Sequence, residues 1–217
     1  MGESELHQLL KKIGVAYLHN QGCSMAAMEV GVVRDRGMEK HEVDNHYIMD
    51  VVGLSKKYIP YGQRGFNFDY TKDSYYHQVL RGIEVKVSRA DFKNGFCCTG
   101  CNYHYLLTPM RLVNPADLPK WVGLLEYNKH KFKASYGYNG FTLEGLRVVK
   151  KPKFREITER QLQKTIVTIG TRLHYSMIAF LADDLKSSMS TEDHAQLNEN
   201  LVDSQSDSAT NSKEKGR

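Results

Sequence analysis

Gly82-Ile83-Glu84-Val85-Lys86-Val87-Ser88-Arg89-Ala90-Asp91-Phe92 is an apolar, β-branched run interrupted by one carboxylate and one ammonium. Its composition and the turn-forming residues that bound it predict a strand. Side chains on a strand alternate between faces, so Ile83, Val85 and Val87 share one side and Glu84 and Lys86 the other. A second apolar run, Tyr47-Ile48-Met49-Asp50-Val51-Val52-Gly53-Leu54, predicts another strand and carries Asp50, 34 positions before Glu84. Charges inside apolar strands are costly to desolvate unless they pair or bind an ion. Hard divalent cations take oxygen ligands from a few carboxylates and a phosphate. Asp50, Glu84 and Lys86 therefore read as a metal site suited to phosphodiester chemistry. Two plainer readings stand beside it: Asp50 as a satisfied polar residue on a hairpin, and Glu84 with Lys86 as a structural ion pair.

A Glu-x-Lys triplet alone says little, since a chain of this length should contain roughly one by chance. Here it is the sole such triplet, it lies on a predicted buried strand, and an acid stands upstream on another. With these residues the chain resembles the PD-(D/E)XK nuclease superfamily, and Glu84 to Phe92 is most similar to the MmcB-type DNA-repair proteins. The likeness takes in Met28-Glu29-Val30, Tyr103-His104-Tyr105-Leu106-Leu107-Thr108-Pro109 and Leu118-Pro119-Lys120-Trp121-Val122-Gly123-Leu124-Leu125, and covers about residues 3 to 180. It implies an α/β fold with a restriction-endonuclease-like mixed central sheet flanked by helices. It also implies a magnesium- or manganese-dependent deoxyribonuclease, active in DNA repair or in the genome metabolism of a bacterium or phage. Asp50, Glu84 and the Val85 backbone carbonyl would hold the ion. Lys86 would orient or deprotonate the attacking water or stabilise the phosphorane, with Glu29 as a second-site or water-orienting acid. The chain departs from the pattern twice: Met49 stands where the superfamily's proline would be, and the span from Asp50 to Glu84 predicts a loop insertion over Ser55 to Arg81.

At 217 residues and 41% hydrophobic content the chain is long enough for one substantial core. No run of 18 apolar residues occurs and the N-terminus has no export pattern, so a cytosolic protein is expected, with no membrane partner. Residues 181–217 hold four Lys/Arg and eight Asp/Glu, a net of −4, which leaves +9 of the total +5 on residues 1–180. A basic domain suits a polyanionic partner such as DNA, and equally describes an ordinary solvated surface.

Leu6, Leu9, Leu10, Ile13 and Tyr17 recur at helical spacing and predict a helix over 3–20. Ala26 to Val33 predicts a strand, joined to the Asp50 strand by a charged turn over Asp35 to Asn45. Ser88 and Asp91 have capping-box spacing, as do Thr158 and Gln161, and each pair predicts a helix start. The second helix carries Leu162, Ile166, Ile169, Leu173 and Met177 as one stripe. The domain is expected over 1–181, followed by a disordered, acidic, polar tail over 182–217 without aromatic residues.

Three further groups of residues carry chemistry. Arg89 is placed to touch phosphate, whereas Ser88 and Asp91 are accounted for by helix capping. Lys129, Lys131, Lys133, Lys150, Lys151 and Lys153 lie in a basic segment with Tyr127, Phe132, Tyr136, Tyr138 and Phe141, a pattern that fits backbone tracking and base stacking or, equally, a plain β-hairpin turning near Gly137 to Gly140. Cys98, Cys101 and His104, with Cys97 adjacent, have a spacing that can clasp zinc, although reduced cytosolic thiols explain it as well. A binding module that keeps the fold without catalysis is the competing functional class. A dimer is the state expected of an enzyme that cuts both strands.

Overall fold

The computed structural model describes residues 4–33, 46–58, 76–96 and 98–210, with side chains as far as 187. α1 (Glu5–Asn20) is capped by Ser4, whose hydroxyl accepts the His7 amide hydrogen at 3.3 Å. Its buried side carries Leu10, Ile13, Ala16, Tyr17 and Leu18 with Leu6 packed beside them, whereas Leu9, expected on the same stripe, is exposed. β1 (Cys23–Val33), β2 (His46–Tyr58) and β3 (Tyr76–Val85) follow as an antiparallel meander. α2 (Arg89–Lys93) leads to β4 (Tyr103–Pro109), parallel to β3, and a 3-10 turn at Pro115–Asp117 leads to β5 (Val122–Tyr127), parallel to β4. β6 (Lys133–Gly137) and β7 (Gly140–Glu144) form a separate hairpin, and β8 (Leu146–Lys150) closes the main sheet antiparallel to β5. The six strands stand in the order β1-β2-β3-β4-β5-β8, a mixed sheet flanked by helices.

The sheet has two buried faces. On one, Val51, Ile83, Val85, Tyr105, Leu107 and Leu125 pack with Leu10, Ile13, Tyr17 and Leu18 of α1. On the other, Val30, Val32, Met49, Val52 and Leu80 meet Leu162, Ile166, Ile169 and Leu173 from the first turns of α3 (Glu159–Thr210). Further along, Leu106, Leu118, Val122 and Leu124 form a third cluster. Each fully buried Leu, Ile or Val contributes about 1.5–3 kcal/mol, so these clusters carry the fold. Close approach matters at Gly82, where an added Cβ would land on Met49 Sδ and lie 2.9 Å from Cys101 Sγ.

Alternation breaks at the start of β1, where the register shifts between Cys23 and Met25, and again further along. Ala27 and Val30, three residues apart, join the same cluster, and so do Met49 and Val52. Glu29, between the first pair, has φ +55, and the β1–β2 register sets it opposite Asp50. A left-handed non-glycine residue costs roughly 1–2 kcal/mol. The slip delivers Glu29 and Asp50 together to a lysine of α1.

Several expectations need correction. Ser55 to Arg81 is not all loop: β2 and β3 extend by pairing Ser55 to Tyr58 with Val79 to Tyr76, and 59–75 lie outside the described residues, as does the turn over Asp35 to Asn45. Thr158 and Gln161 form a full capping box, with amide-to-side-chain bonds of 2.8 and 3.2 Å in both directions. At Ser88 only half of one forms. Ser88 Oγ accepts the Asp91 amide hydrogen at 3.0 Å, but the Asp91 carboxylate turns to Val87 and Lys86. The apolar stripe of α3 ends at Leu173, since Met177 is exposed. Residues 174–217 form a unit of their own, helical in backbone to Thr210, so the tail expected over 182–217 falls within it.

Candidate active site

The β2–β3 ladder ends with Val51 opposite Ile83, and the next two positions are Asp50 and Glu84. Where pairing stops, the Val85 amide has no strand partner, and it donates instead to Asp50 Oδ2 at 2.7 Å. Asp50 Oδ1 lies 3.6 Å from both Lys11 Nζ and His7 Nε2 of α1. Lys11 is buried, and its ammonium also donates to Glu29 Oε1 at 3.0 Å. Buried ammonium groups need such partners, so Lys11 ties Glu29 to Asp50 and holds the start of α1 against the parted strands.

Glu84 points away from the α1 face, as strand parity requires. Its Oε1 accepts the Tyr47 hydroxyl hydrogen at 2.6 Å and lies 3.5 Å from Lys86 Nζ. Lys86 is held from the other side by Asp91 Oδ1 at 3.2 Å. Glu84 is only 4% exposed, and its Oε2 is buried without a hydrogen-bond partner among the described residues. Burial, reinforced by the neighbouring Asp50 charge, pushes its carboxyl up to about 7, while the Tyr47 hydroxyl and Lys86 pull the other way. A cleft of about 310 Å³ opens here, bounded by His7, Tyr47, Asp50, Glu84, Lys86 and Asp91.

The arrangement fits a hard divalent cation. The orphaned Glu84 oxygen needs a positive partner, and the Asp50 carboxylate stands beside it. Among the described residues no cluster of three or more His, Cys, Asp or Glu is ready for a metal. An ion here would thus rest on two carboxylates, a main-chain oxygen of the kind expected of Val85, and water, which is how magnesium is commonly held. Glu29 lies outside the cleft, with its side chain half exposed, and reaches the site only through Lys11.

The sequence readings of Asp50, Glu84, Val85 and Lys86 converge on this cleft. The sequence does not point to His7, Lys11 or Tyr47, and its spacing accounts for Asp91 by capping alone. The only sequence sign of the α1 pair is a histidine and a lysine four residues apart, flanking an apolar stripe.

The other candidates disperse. Cys98 packs in the cluster of Leu106, Cys101 in that of Met49 with its sulfur 3.9 Å from Met49 Sδ, and the remote Cys23 in that of α1. His104 Nε2 contacts the Thr99 carbonyl at 3.0 Å, and burial lowers the ring to about 4. Among the described residues Cys98, Cys101 and His104 form no group that could hold a metal, and Cys97 lies outside them. Lys150 also changes role: its ammonium turns inward onto the Pro115, Leu118 and Pro119 carbonyls at 3.4, 3.2 and 2.9 Å. Lys129, Lys131, Lys133, Lys151 and Lys153 are exposed. Tyr136 and Tyr138 stand out at the hairpin tip, whereas Tyr127 is buried against Phe132. Arg89 lines a different cavity from the cleft.

No helix among the described residues is long and apolar enough to cross a membrane. No protein-family model matches the chain, and no curated protein matches it. Among solved structures, the chain is similar to a protein of unknown function from Silicibacter pomeroyi, at 21% identity and a TM-score of 0.45 over 79% of this chain and 88% of that one.

Proposed function

We propose that this chain is a metal-dependent nuclease that hydrolyses phosphodiester bonds in DNA, in repair or in bacterial or phage genome metabolism. The observation that carries the reading is Glu84: a buried carboxylate with an oxygen unpartnered among the described residues, beside a second carboxylate, in a cleft that also holds an ammonium. The resemblance of Asp50 and Glu84-Val85-Lys86 to PD-(D/E)XK nucleases supports it, as does the basic balance of residues 1–180.

Asp50, Glu84 and the Val85 carbonyl would hold magnesium or manganese. The bound ion would lower the pKa of its water and neutralise charge developing on phosphate. The protein's own contribution is positioning. Val85 and Lys11 fix the two oxygens of Asp50, and Tyr47 fixes Glu84 Oε1, while Oε2 has no hydrogen-bond partner among the described residues. Asp91 holds Lys86 Nζ within 3.5 Å of Glu84, where an ammonium can orient the attacking water or balance charge on the phosphorane.

The test is cleavage of labelled linear, circular and branched DNA with magnesium, manganese or EDTA, comparing wild type with Glu84→Gln and Lys86→Ala. Metal-dependent cutting should fall by on the order of 10³-fold in each variant. Wild-type protein that binds DNA but never cuts it would instead make this a binding module.

A further inference from the structure

A second cavity, of about 610 Å³, shares α2 with the cleft: Asp91 lines the cleft, while Arg89, Phe92 and Lys93 line the second space. Its remaining walls come from the turn after β4 and from β5 and β8, which bring Arg111, Asp117, Glu126 and Arg147. Four cations thus face two carboxylates, a surplus of 4 − 2 = +2. The carboxylates do not use that surplus up. Glu126 Oε2 takes Arg147 Nε and Nη2 at 2.9 and 2.7 Å, and its Oε1 takes the Arg111 amide hydrogen at 3.0 Å. Among the described residues, the side chains of Arg89, Lys93 and Arg111 have no ion-pair partner.

Arg111 has φ +63, a left-handed backbone that arginine adopts only against strain. Glu126, buried to 3% exposure, holds it there through the amide. A strained residue fixed by a buried acid, with its own charge unspent, is the mark of a side chain aimed at a ligand. Guanidinium groups present paired donors matched to phosphate oxygens.

We propose that this pocket is a phosphate subsite that takes a backbone phosphate of the DNA strand beyond α2, next to the phosphodiester in the cleft. This rests on the nuclease reading, and it adds to it: α2 becomes a divider between the scissile group, governed by Asp91 and Lys86, and a flanking phosphate gripped by Arg89 and Arg111. The grip sets which phosphodiester enters the cleft.

The test is fluorescence anisotropy with short fluorescein-labelled single-stranded and duplex DNA in EDTA, across a salt series, for wild type, Glu84→Gln, Arg89→Ala and Arg111→Gly. Glycine at 111 removes the guanidinium and also relieves the left-handed strain, so this variant should melt no lower than wild type. Arg111→Gly and Arg89→Ala should each weaken binding about tenfold and lower the slope of log K against log salt by about 0.7–0.9. Glu84→Gln, which removes a carboxylate beside the phosphodiester, should bind no more weakly than wild type. Weakened binding by the arginine variants, in a protein that never cleaves, would sink the catalytic reading and keep the subsite. Affinities within twofold of wild type for both arginine variants would overturn it. So would an inorganic phosphate site lost in Arg111→Gly while DNA binding stays unchanged, which would mark a site for small anions.

Discussion

Glu84 on β3 and Glu126 on β5 are both glutamates buried in the same sheet, at 4% and 3% exposure. Glu126 has each oxygen engaged, one by a guanidinium and one by an amide. Glu84 has one oxygen engaged and the other without a hydrogen-bond partner among the described residues. Burial alone therefore does not distinguish a carboxylate whose oxygens are both satisfied from one with capacity to spare. What distinguishes them is unspent hydrogen-bonding capacity on a residue that lines a cleft, together with a like charge next door that a structural site would avoid.

The sharpest way to break that contrast is the pH dependence of stability without metal. Glu84 titrates near 7 in the folded chain against an ordinary 4.5. The folded state then binds the extra proton between those values, so its contribution is present below about 4.5 and is lost as pH rises through about 7. The loss should approach about 3 kcal/mol in EDTA. His104 works with the opposite sign: its ring is depressed to about 4, so its contribution is lost as pH falls from about 6.5 toward that value. Denaturant unfolding of wild type minus Glu84→Gln cancels His104 and isolates the Glu84 component. Added magnesium should flatten the difference by repaying the buried charge. A difference that stays flat in EDTA would mean that Glu84 has an ordinary carboxyl and that the contrast with Glu126 fails.

Glu126→Gln should give the complementary result. The amide can still accept from Arg111 but loses the ionic bond to Arg147, whose side chain is 61% exposed and can turn to water. A cost of about 2 kcal/mol follows, or a melting temperature lower by about 4–8 °C. Metal-dependent cleavage by the folded fraction should stay close to that of wild type, because Glu126 does not line the cleft. Calorimetry beside a cleavage assay reads both, and a variant of full stability that cannot cleave would reverse the two assignments.

Sequence periodicity singled out Asp50 and Glu84, which the structure brings to one cleft, because strand parity leaves a charged residue in an apolar run few ways to be satisfied. It could not reach what lies across the fold. Lys11 and His7 belong to a helix far upstream, and their role appears only once α1 lies against the parted ends of β2 and β3. The Ser88 and Asp91 spacing is that of a capping box, and nothing local says that the Asp91 carboxylate leaves the cap for Lys86. Cys98, Cys101 and His104 were legible as a spacing, but spacing does not tell which cluster each side chain enters. Lys56, Lys57 and Tyr58 read as loop because a polar strand end has no apolar alternation to reveal it, although they pair with Gln78, His77 and Tyr76.

Glu29 is a third acid that fits neither pattern, with a partner in Lys11, a half-exposed side chain and a left-handed backbone. If the strain serves to bring β1 under Lys11, removing the carboxylate and removing the strain should have separable effects. Glu29→Ala and Glu29→Gly both delete the ion pair to Lys11, so they differ chiefly in the backbone. Glycine tolerates φ +55 at no steric cost, and the Gly variant should therefore be the more stable of the two by about 1 kcal/mol despite its greater freedom when unfolded. Both should slow cleavage equally, since Lys11 then leans on Asp50 alone and pulls that carboxylate from the ion. Equal stabilities would show that β1 carries no strain at Glu29. Cleavage equal to wild type in both variants would show that the tie through Lys11 organises the fold and leaves the chemistry to Asp50, Glu84 and Lys86.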